Sequence, residues 1–407
     1  MPEAVIVATA RTPIGRAFKG SLKDIRADDL AAMAIQAVLD KVPGLDESQI
    51  DDLMVGCAEP GGEQGVNLAR RLAVQLGFDH IPGTTVNRFC ASSVQTSRMA
   101  LHAIRAGEGD VFISAGVECV SRYPDFTGPG RGRAEFHNPQ FADAIARTEA
   151  TAASNESWHD PRQDGQLPDI YIAMGHTAEN VATSLGVSRQ EQDEFGVRSQ
   201  NLAEKAIANG FFEREITPVT TPDGTVVSRD DGPRAGVTME GVSGLQPVFR
   251  PEGTVTAGNC CPLNNGAAAV VIMSDAKAAE MGLTPLARIV STGVSALSPE
   301  IMGLGPIEST RKALALAGMT IDDIDLVEIN EAFAAQVIPS YRELGIDLEK
   351  LNVNGGAIAL GHPFGMTGAR ITATLLNSLQ FHDKEWGLET MCVGGGQGMA
   401  MIVQRLG

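Results

Sequence analysis

The sequence predicts an α/β protein: two similar βαβ-rich halves packed in a layered α/β arrangement, with a long loop domain inserted between them. Three observations lead there. The same order of helical and strand-like patterns runs through the first and last parts of the chain. A Gly-, Pro- and polar-rich stretch separates them. The composition, 407 residues with 43% hydrophobic, 5% aromatic and 45 Gly, suits close-packed helices over buried sheets better than a sandwich.

The N-terminal AVIVATARTPIG reads as a strand. Leu30, Met33, Ala34, Ala37 and Val38 then form an apolar helical stripe, followed by Gly44 and the strand-like QIDDLMVGC. Strand TTVNRF leads through Cys90 into a helix carrying Val94, Leu101 and Ile104, stopped by Gly107 and followed by the buried strand VFISAGV. The second half repeats this order. IESTRKALALAG ends at Gly318 and leads to DIDLVEIN; LNVNGG, a turn with His362, a helix through Ile371, Leu375 and Leu379, and ETMCVGGG follow. Such alternation predicts mainly parallel sheets with helices on both faces. Two like halves can pack face to face and place corresponding loops around one cleft. The expected divisions are 1–121, completed by about 251–275, then an insertion over 122–250 and a C-terminal half over 276–407. Within the insertion, Ser188 and Glu191 have capping-box spacing, and Phe195, Ser199, Leu202 and Ala206 share a helical face. Long insertions above a cleft often bind substrate.

A net charge of -18 argues against nucleic acid or an anionic membrane as partner, because like charges repel. An anionic ligand therefore needs a local basic patch. No apolar stretch approaches the length of a membrane span, and no basic region precedes the first strand as in a secretory signal. The cytoplasm is the expected compartment. There the six cysteines are expected as free thiols, and without a C-x-x-C pair no metal site is expected.

Three glycine-punctuated segments set a reactive side chain beside exposed backbone: VNRFCASS around Cys90, NGGAIALGHPFG around His362, and MCVGGGQG around Cys392. Cys90 follows a strand and begins a small-residue helix, where backbone N–H groups and the helix dipole can lower its pKa and its own amide can donate to an oxyanion. A buried cysteine filling space is the equal alternative. His362 can serve as base or oxyanion donor; the bland reading is a surface-loop histidine. Cys392 precedes Gly394, Gly395 and Gly396, whose bare backbone admits a ligand, although close packing also demands glycine. Asn330 and Glu331 in EINEAF can orient a water or polarise a carbonyl, or simply cap a helix. Two thiols and an imidazole fit acyl transfer on a thioester, with one sulfur acylated and the other moving a proton at carbon.

Together with ARTPIG, GVECVS, MGHTAENVA, GTVTAGN and GAAAV, these motifs resemble the thiolase family from about residue 4 to the C-terminus. The resemblance implies a thiolase fold, a homodimer or homotetramer, and coenzyme A as co-substrate with no permanently bound cofactor. It implies that Cys90 forms the acyl-enzyme, His362 activates it, and Cys392 is the acid/base at the acetyl carbon. One oxyanion hole would combine His362 with a water held by Asn330, the other the N–H groups of Cys90 and Gly394. The implied reaction is thiolysis of a 3-ketoacyl-CoA to acetyl-CoA and a shortened acyl-CoA, in β-oxidation and in possible association with its other enzymes. Alternatives are an acetoacetyl-CoA thiolase working in the condensing direction, and a thiolase-like lipid carrier without catalysis.

The sequence departs from the family at several points. Ser93 stands where glycine is common, Cys261 and Pro262 replace Ser-Gly, and Asn265 replaces Asp. Cys261 can take the place of a serine that touches the pantetheine arm. Ala173 stands where acetoacetyl-specific members carry His, which leans towards degradative enzymes. Arg229, Arg234 and Arg250 are candidates for the CoA phosphates.

Overall fold

The computed structural model describes residues 1–123, 134–154 and 156–407, so most of RYPDFTGPGRGR lies outside the described residues. Nine strands build one large sheet: β1 Ala4–Arg11, β2 Asp52–Gly56, β3 Gly83–Val86, β4 Val111–Cys119, β5 Asn264–Ser274, β6 Ala287–Ala296, β7 Leu326–Ile329, β8 Trp386–Val393 and β9 Gln397–Arg405. Their order is β7-β8-β9-β6-β1-β5-β4-β2-β3, and the short strand Gly15–Arg16 adds to β5.

Counted from each half's first strand, the order is the same. β1-β5-β4-β2-β3 in one half corresponds to β6-β9-β8-β7 in the other, with a lone parallel bridge between Val327 and Leu351 at the place of the last strand. The strand expected over LNVNGG is thus reduced to one residue. Asn352 takes its place: with φ of 45° it turns the chain, while its side-chain amide accepts from Ile329 N–H at 2.9 Å and donates to Ile329 C=O at 2.9 Å. A side chain here mimics a strand neighbour.

Two sequence expectations need correction. The sheet is mixed, not mainly parallel: only β2–β3, β2–β4 and β7–β8 run parallel among these strands, because β8 returns directly into β9 and β5 inserts antiparallel between β1 and β4. The halves also do not meet simply face to face. They join edge to edge through Val5↔Arg288 and Ile6↔Ala287, which pairs backbone groups that a free edge would leave open.

On one sheet face, the helices Ser92–Ala106 and Thr367–Phe381 pack against each other and against strands of both halves. Ser92–Ala106 ends at Gly107, and Gly305–Ala317 on the opposite face ends at Gly318, both in the left-handed conformation. Helix Thr367–Phe381 is buried along nearly its whole length. Its start lies so close to the other helix that a Cβ on Gly368 would come 2.5 Å from Val94. Ser93, unexpected against the family pattern, caps its neighbour: the Ala369 N–H donates to Ser93 Oγ at 2.9 Å. In the insertion, helix Arg189–Ala208 starts with the capping box of Ser188 and Glu191.

The insertion is tied to both halves by Arg11, a fully buried guanidinium. It donates to Glu215 at 2.7 Å and to both oxygens of Asp230 at 2.8 and 3.0 Å. Glu215 also receives Thr374 from the central helix, at 3.2 Å. Arg11→Met would strand two buried carboxylates, and we expect it to lower the unfolding free energy by about 3–5 kcal/mol. Urea unfolding checks this; a loss below about 1 kcal/mol, the worth of an exposed pair, would contradict it.

Candidate active site

Both central helices are preceded by the loops that hold Cys90 and His362. Phe89, immediately before Cys90, has φ of 43°, a left-handed conformation that costs a bulky residue energy. Its N–H donates to Asn87 Oδ1 at 2.8 Å, and its C=O accepts from Ser92 Oγ at 2.6 Å. These bonds hold the strain, and the turn presents the Cys90 sulfur to the N–H groups of Cys90 itself and of Gly394. The Gly394 segment is held in return: Arg88 donates to Gln397 Oε1 at 2.9 Å, and Gln397 donates to Gly394 C=O at 3.2 Å. Gly395 and Gly396, with φ of 74° and 78°, make the tight return from β8 into β9.

His362 is buried and fully tethered. Gly361 before it has φ of 112°, and a Cβ there would lie 2.7 Å from the Asn264 side chain. That side chain accepts the His362 N–H at 2.9 Å. On the ring, Nδ1 lies 2.6 Å from Thr367 Oγ1, whose own hydroxyl donates to Pro363 C=O at 2.8 Å. Thr367 therefore accepts from Nδ1–H, and this fixes the tautomer with a lone pair on Nε2. Asn330 Nδ2 lies 3.2 Å from Nε2. The Asn330 backbone is pinned by bonds to Thr390 and Gln336, and its Oδ1 accepts no hydrogen bond from the described residues. Its neighbour Glu331 is structural, receiving Ser199 at 2.5 Å, Asn352 at 2.8 Å and Ile358 N–H at 3.1 Å.

Cys90, His362 and Gly394 line one cleft of about 790 Å³, with Cys261 on its wall. Cys261 is held there by its N–H bond to Ala332 C=O at 3.0 Å. Cys392 is buried, and its thiol is pushed up by burial and by the nearby Cys90 thiol. The wall is mostly apolar, with Phe89, Met174, Phe249, Met302 and Phe333 prominent. Of the three candidate arginines, Arg234 lines the cleft. Arg229 is exposed and does not line it. Arg250 is buried, donating to Asn180 Oδ1 at 2.6 Å. Arg16 and Lys19 line the cleft but had no signal in sequence beyond their position after ARTPIG. Thr367 and Asn264 were likewise missed; the Thr four residues after the Pro of GHP, and the Asn closing CCPLN, were the available clues.

The electrostatics differ from the sequence expectation for Cys90. Burial pushes its thiol up to about 12, against the pull of the Gly394 and Cys90 N–H groups. Desolvation of the thiolate outweighs helix-end stabilisation. Burial, and to a lesser degree Arg370 on the following helix, pushes His362 down to about 3. Both groups are neutral at rest.

The chain matches the family described as thiolase, N-terminal domain, over residues 4–276, and thiolase, C-terminal domain, over 283–405. It is 43% identical to a 3-ketoacyl-CoA thiolase of Bacillus subtilis, over 99% of this chain and 100% of that protein. It is 41% identical to a beta-ketoadipyl-CoA thiolase of Acinetobacter baylyi, covering 100% of each. The solved structure of an acetyl-CoA acetyltransferase from Bacillus anthracis superposes with a TM-score of 0.87 and 38% identity, over 100% of this chain and 99% of that one.

A base whose folded pKa is depressed stays neutral at every pH above that value. In a histidine-selective NMR titration, the ring nitrogens of His362 should therefore not titrate between about pH 5 and pH 8, around the ordinary histidine value. A midpoint near pH 6.5 for His362 would contradict the buried, neutral imidazole.

Proposed function

The chain belongs to the thiolase family of acyltransferases, and from that premise we propose that it cleaves 3-ketoacyl-CoA with coenzyme A to acetyl-CoA and a shortened acyl-CoA. The observation that carries this reading is the convergence of Cys90, the Gly394 N–H and His362 on one cleft, with Cys392 close behind.

In this reading the Cys90 sulfur attacks the ketone carbon of the substrate while His362 Nε2 takes the thiol proton. With Cys90 raised and His362 lowered, an ion pair in the empty site is unfavourable, so proton transfer accompanies attack. The oxyanion that develops on the carbon bonded to the Cys90 sulfur receives hydrogen bonds from the N–H groups of Cys90 and Gly394, which flank that sulfur. The bond between the two carbons then breaks, leaving the acyl group on Cys90 and acetyl-CoA as an enolate. His362, now carrying the proton on Nε2, and a water held by the Asn330 side chain serve the thioester oxygen of the departing enolate, and Cys392 gives its proton to the enolate carbon. Coenzyme A gives its thiol proton to the Cys392 thiolate and takes the acyl group from Cys90, whose departing sulfur recovers its proton from His362. Donors set in a dry site act only as charge develops.

The aromatic and methionine wall favours a neutral, apolar acyl chain, since a carboxylate at the chain end would lose its hydration there. Ala173 and the 3-ketoacyl-CoA relative point to the degradative direction, in β-oxidation. Among CoA contacts, Arg16, Lys19 and Arg234 are the basic groups of the cleft available to the phosphates.

Asn330→Ala should lower kcat by about 10²–10³, the usual cost of one oxyanion donor, in a thiolysis assay that follows loss of ketoacyl-CoA; an unchanged kcat would contradict its role. Across a substrate panel, kcat/KM should be at least about tenfold higher for a neutral medium-chain 3-ketoacyl-CoA than for beta-ketoadipyl-CoA, a difference of about 1.4 kcal/mol. The opposite order would move the protein to dicarboxylate substrates, and absence of thiolysis on every member would refute the reading.

A further inference from the structure

We propose that Glu118 is a positioning residue that locks the His362 loop to the Cys90 loop through a single carboxylate oxygen. Glu118 stands near the end of β4 and is wholly buried. It does not line the cleft, and the family resemblance gives it no role.

Its Oε2 accepts from Ala58 N–H at 2.8 Å and from Gly365 N–H at 2.9 Å. Its Oε1 accepts from Gln64 Nε2 at 2.9 Å, Tyr123 Oη at 2.8 Å and Glu59 N–H at 3.3 Å. Four of these partners, the three backbone N–H groups and Gln64 Nε2, can only donate, and the Tyr123 hydroxyl donates here as well. An ionised carboxylate accepts from all directions and donates to none, whereas an amide would set its own N–H groups against them.

The two bonds of Oε2 lead to opposite sides of the reaction. Gly365 belongs to the His362 turn and is seated on the ends of β4 and β2: a Cβ there would lie 2.5 Å from Val117 C=O and 2.7 Å from Gly56 C=O. From Ala58 the path runs to the nucleophile. Its C=O accepts from Asn87 Nδ2 at 2.9 Å, and Asn87 Oδ1 accepts the N–H of the strained Phe89 at 2.8 Å. One oxygen thus joins Ala58 to Gly365 and sets where the imidazole sits relative to the sulfur. A misplacement of about 1 Å between reacting groups can cost about 10²-fold in rate.

The proposal rests on the assignment of Cys90 and His362 above, and one experiment separates the two. Single-turnover acetylation by acetyl-CoA is followed by mass spectrometry of the Cys90 peptide in wild type, Glu118→Gln, His362→Ala and the double variant. Wild type acetylated at Cys90 supports the assignment; failure there takes down both. Given that, Glu118→Gln should slow acetylation about 10²-fold. In the His362→Ala background it should add no more than about threefold, because residues acting through one another are not additive. Unchanged acetylation, or equal slowing in both backgrounds, overturns the proposal. Tyr123→Phe, which leaves both Oε2 bonds intact, should stay within about threefold of wild type; a loss as large as that of Glu118→Gln also overturns it. Should Glu118→Gln fail to fold, amide exchange of wild-type segment 361–366 decides: protection comparable to the sheet strands supports the seating, and exchange as fast as exposed loops overturns it.

Discussion

The whole site depends on the close approach of two helix starts. Ser92–Ala106 and Thr367–Phe381 each open with N–H groups that have no partner inside their own helix. Where they meet, Gly368 removes a Cβ that would strike Val94, and Ser93 takes the Ala369 N–H. The loop before one helix holds Cys90 and the loop before the other holds His362, so bringing the starts together brings these two side chains to one cleft. The edge-to-edge join of the sheets through β1 and β6 then holds the halves at that spacing. A larger residue at 368 would push apart the loops as well as the helices.

Burial has a second consequence. It keeps thiol and imidazole neutral, with Cys90 up to about 12 and His362 down to about 3. Such a site stores no charge before substrate arrives, yet it holds donors already fixed in direction, the Gly394 and Cys90 N–H groups and Asn330 Nδ2, beside an imidazole tethered so that Nε2 can accept a proton. Charge that develops during reaction finds these donors without reorganising water. The strain at Phe89 belongs to the same arrangement, since the left-handed turn is what aims the sulfur.

Much of this was legible in the sequence, for identifiable reasons. Helices with apolar stripes and glycine stops, such as Ser92–Ala106 ending at Gly107, follow directly from periodicity and turn chemistry. The repeated order of elements disclosed two like halves. The missing last strand of the second half was not legible, because a side chain, Asn352, makes the bonds a strand would make. Strand direction was misjudged because β5 comes from across the insertion and slides between β1 and β4. Motifs pointed to Cys90, His362 and Cys392, which the fold brings near one another, but not to the direction of the Cys90 shift, which depends on how much protein lies over the sulfur. Arg250 looked like a phosphate ligand, yet folds inward onto Asn180. Arg16 and Lys19 reach the cleft only because the chain turns after β1.

The central claim is that two sulfurs from different halves share one acyl-sized space. Treatment of the native protein with a short dihaloketone, followed by proteolysis and mass spectrometry, tests it most directly. The account predicts a covalent link between the Cys90 and Cys392 peptides, suppressed when an acyl-CoA fills the cleft. Only singly modified peptides, with no Cys90–Cys392 link at any reagent concentration, would contradict it.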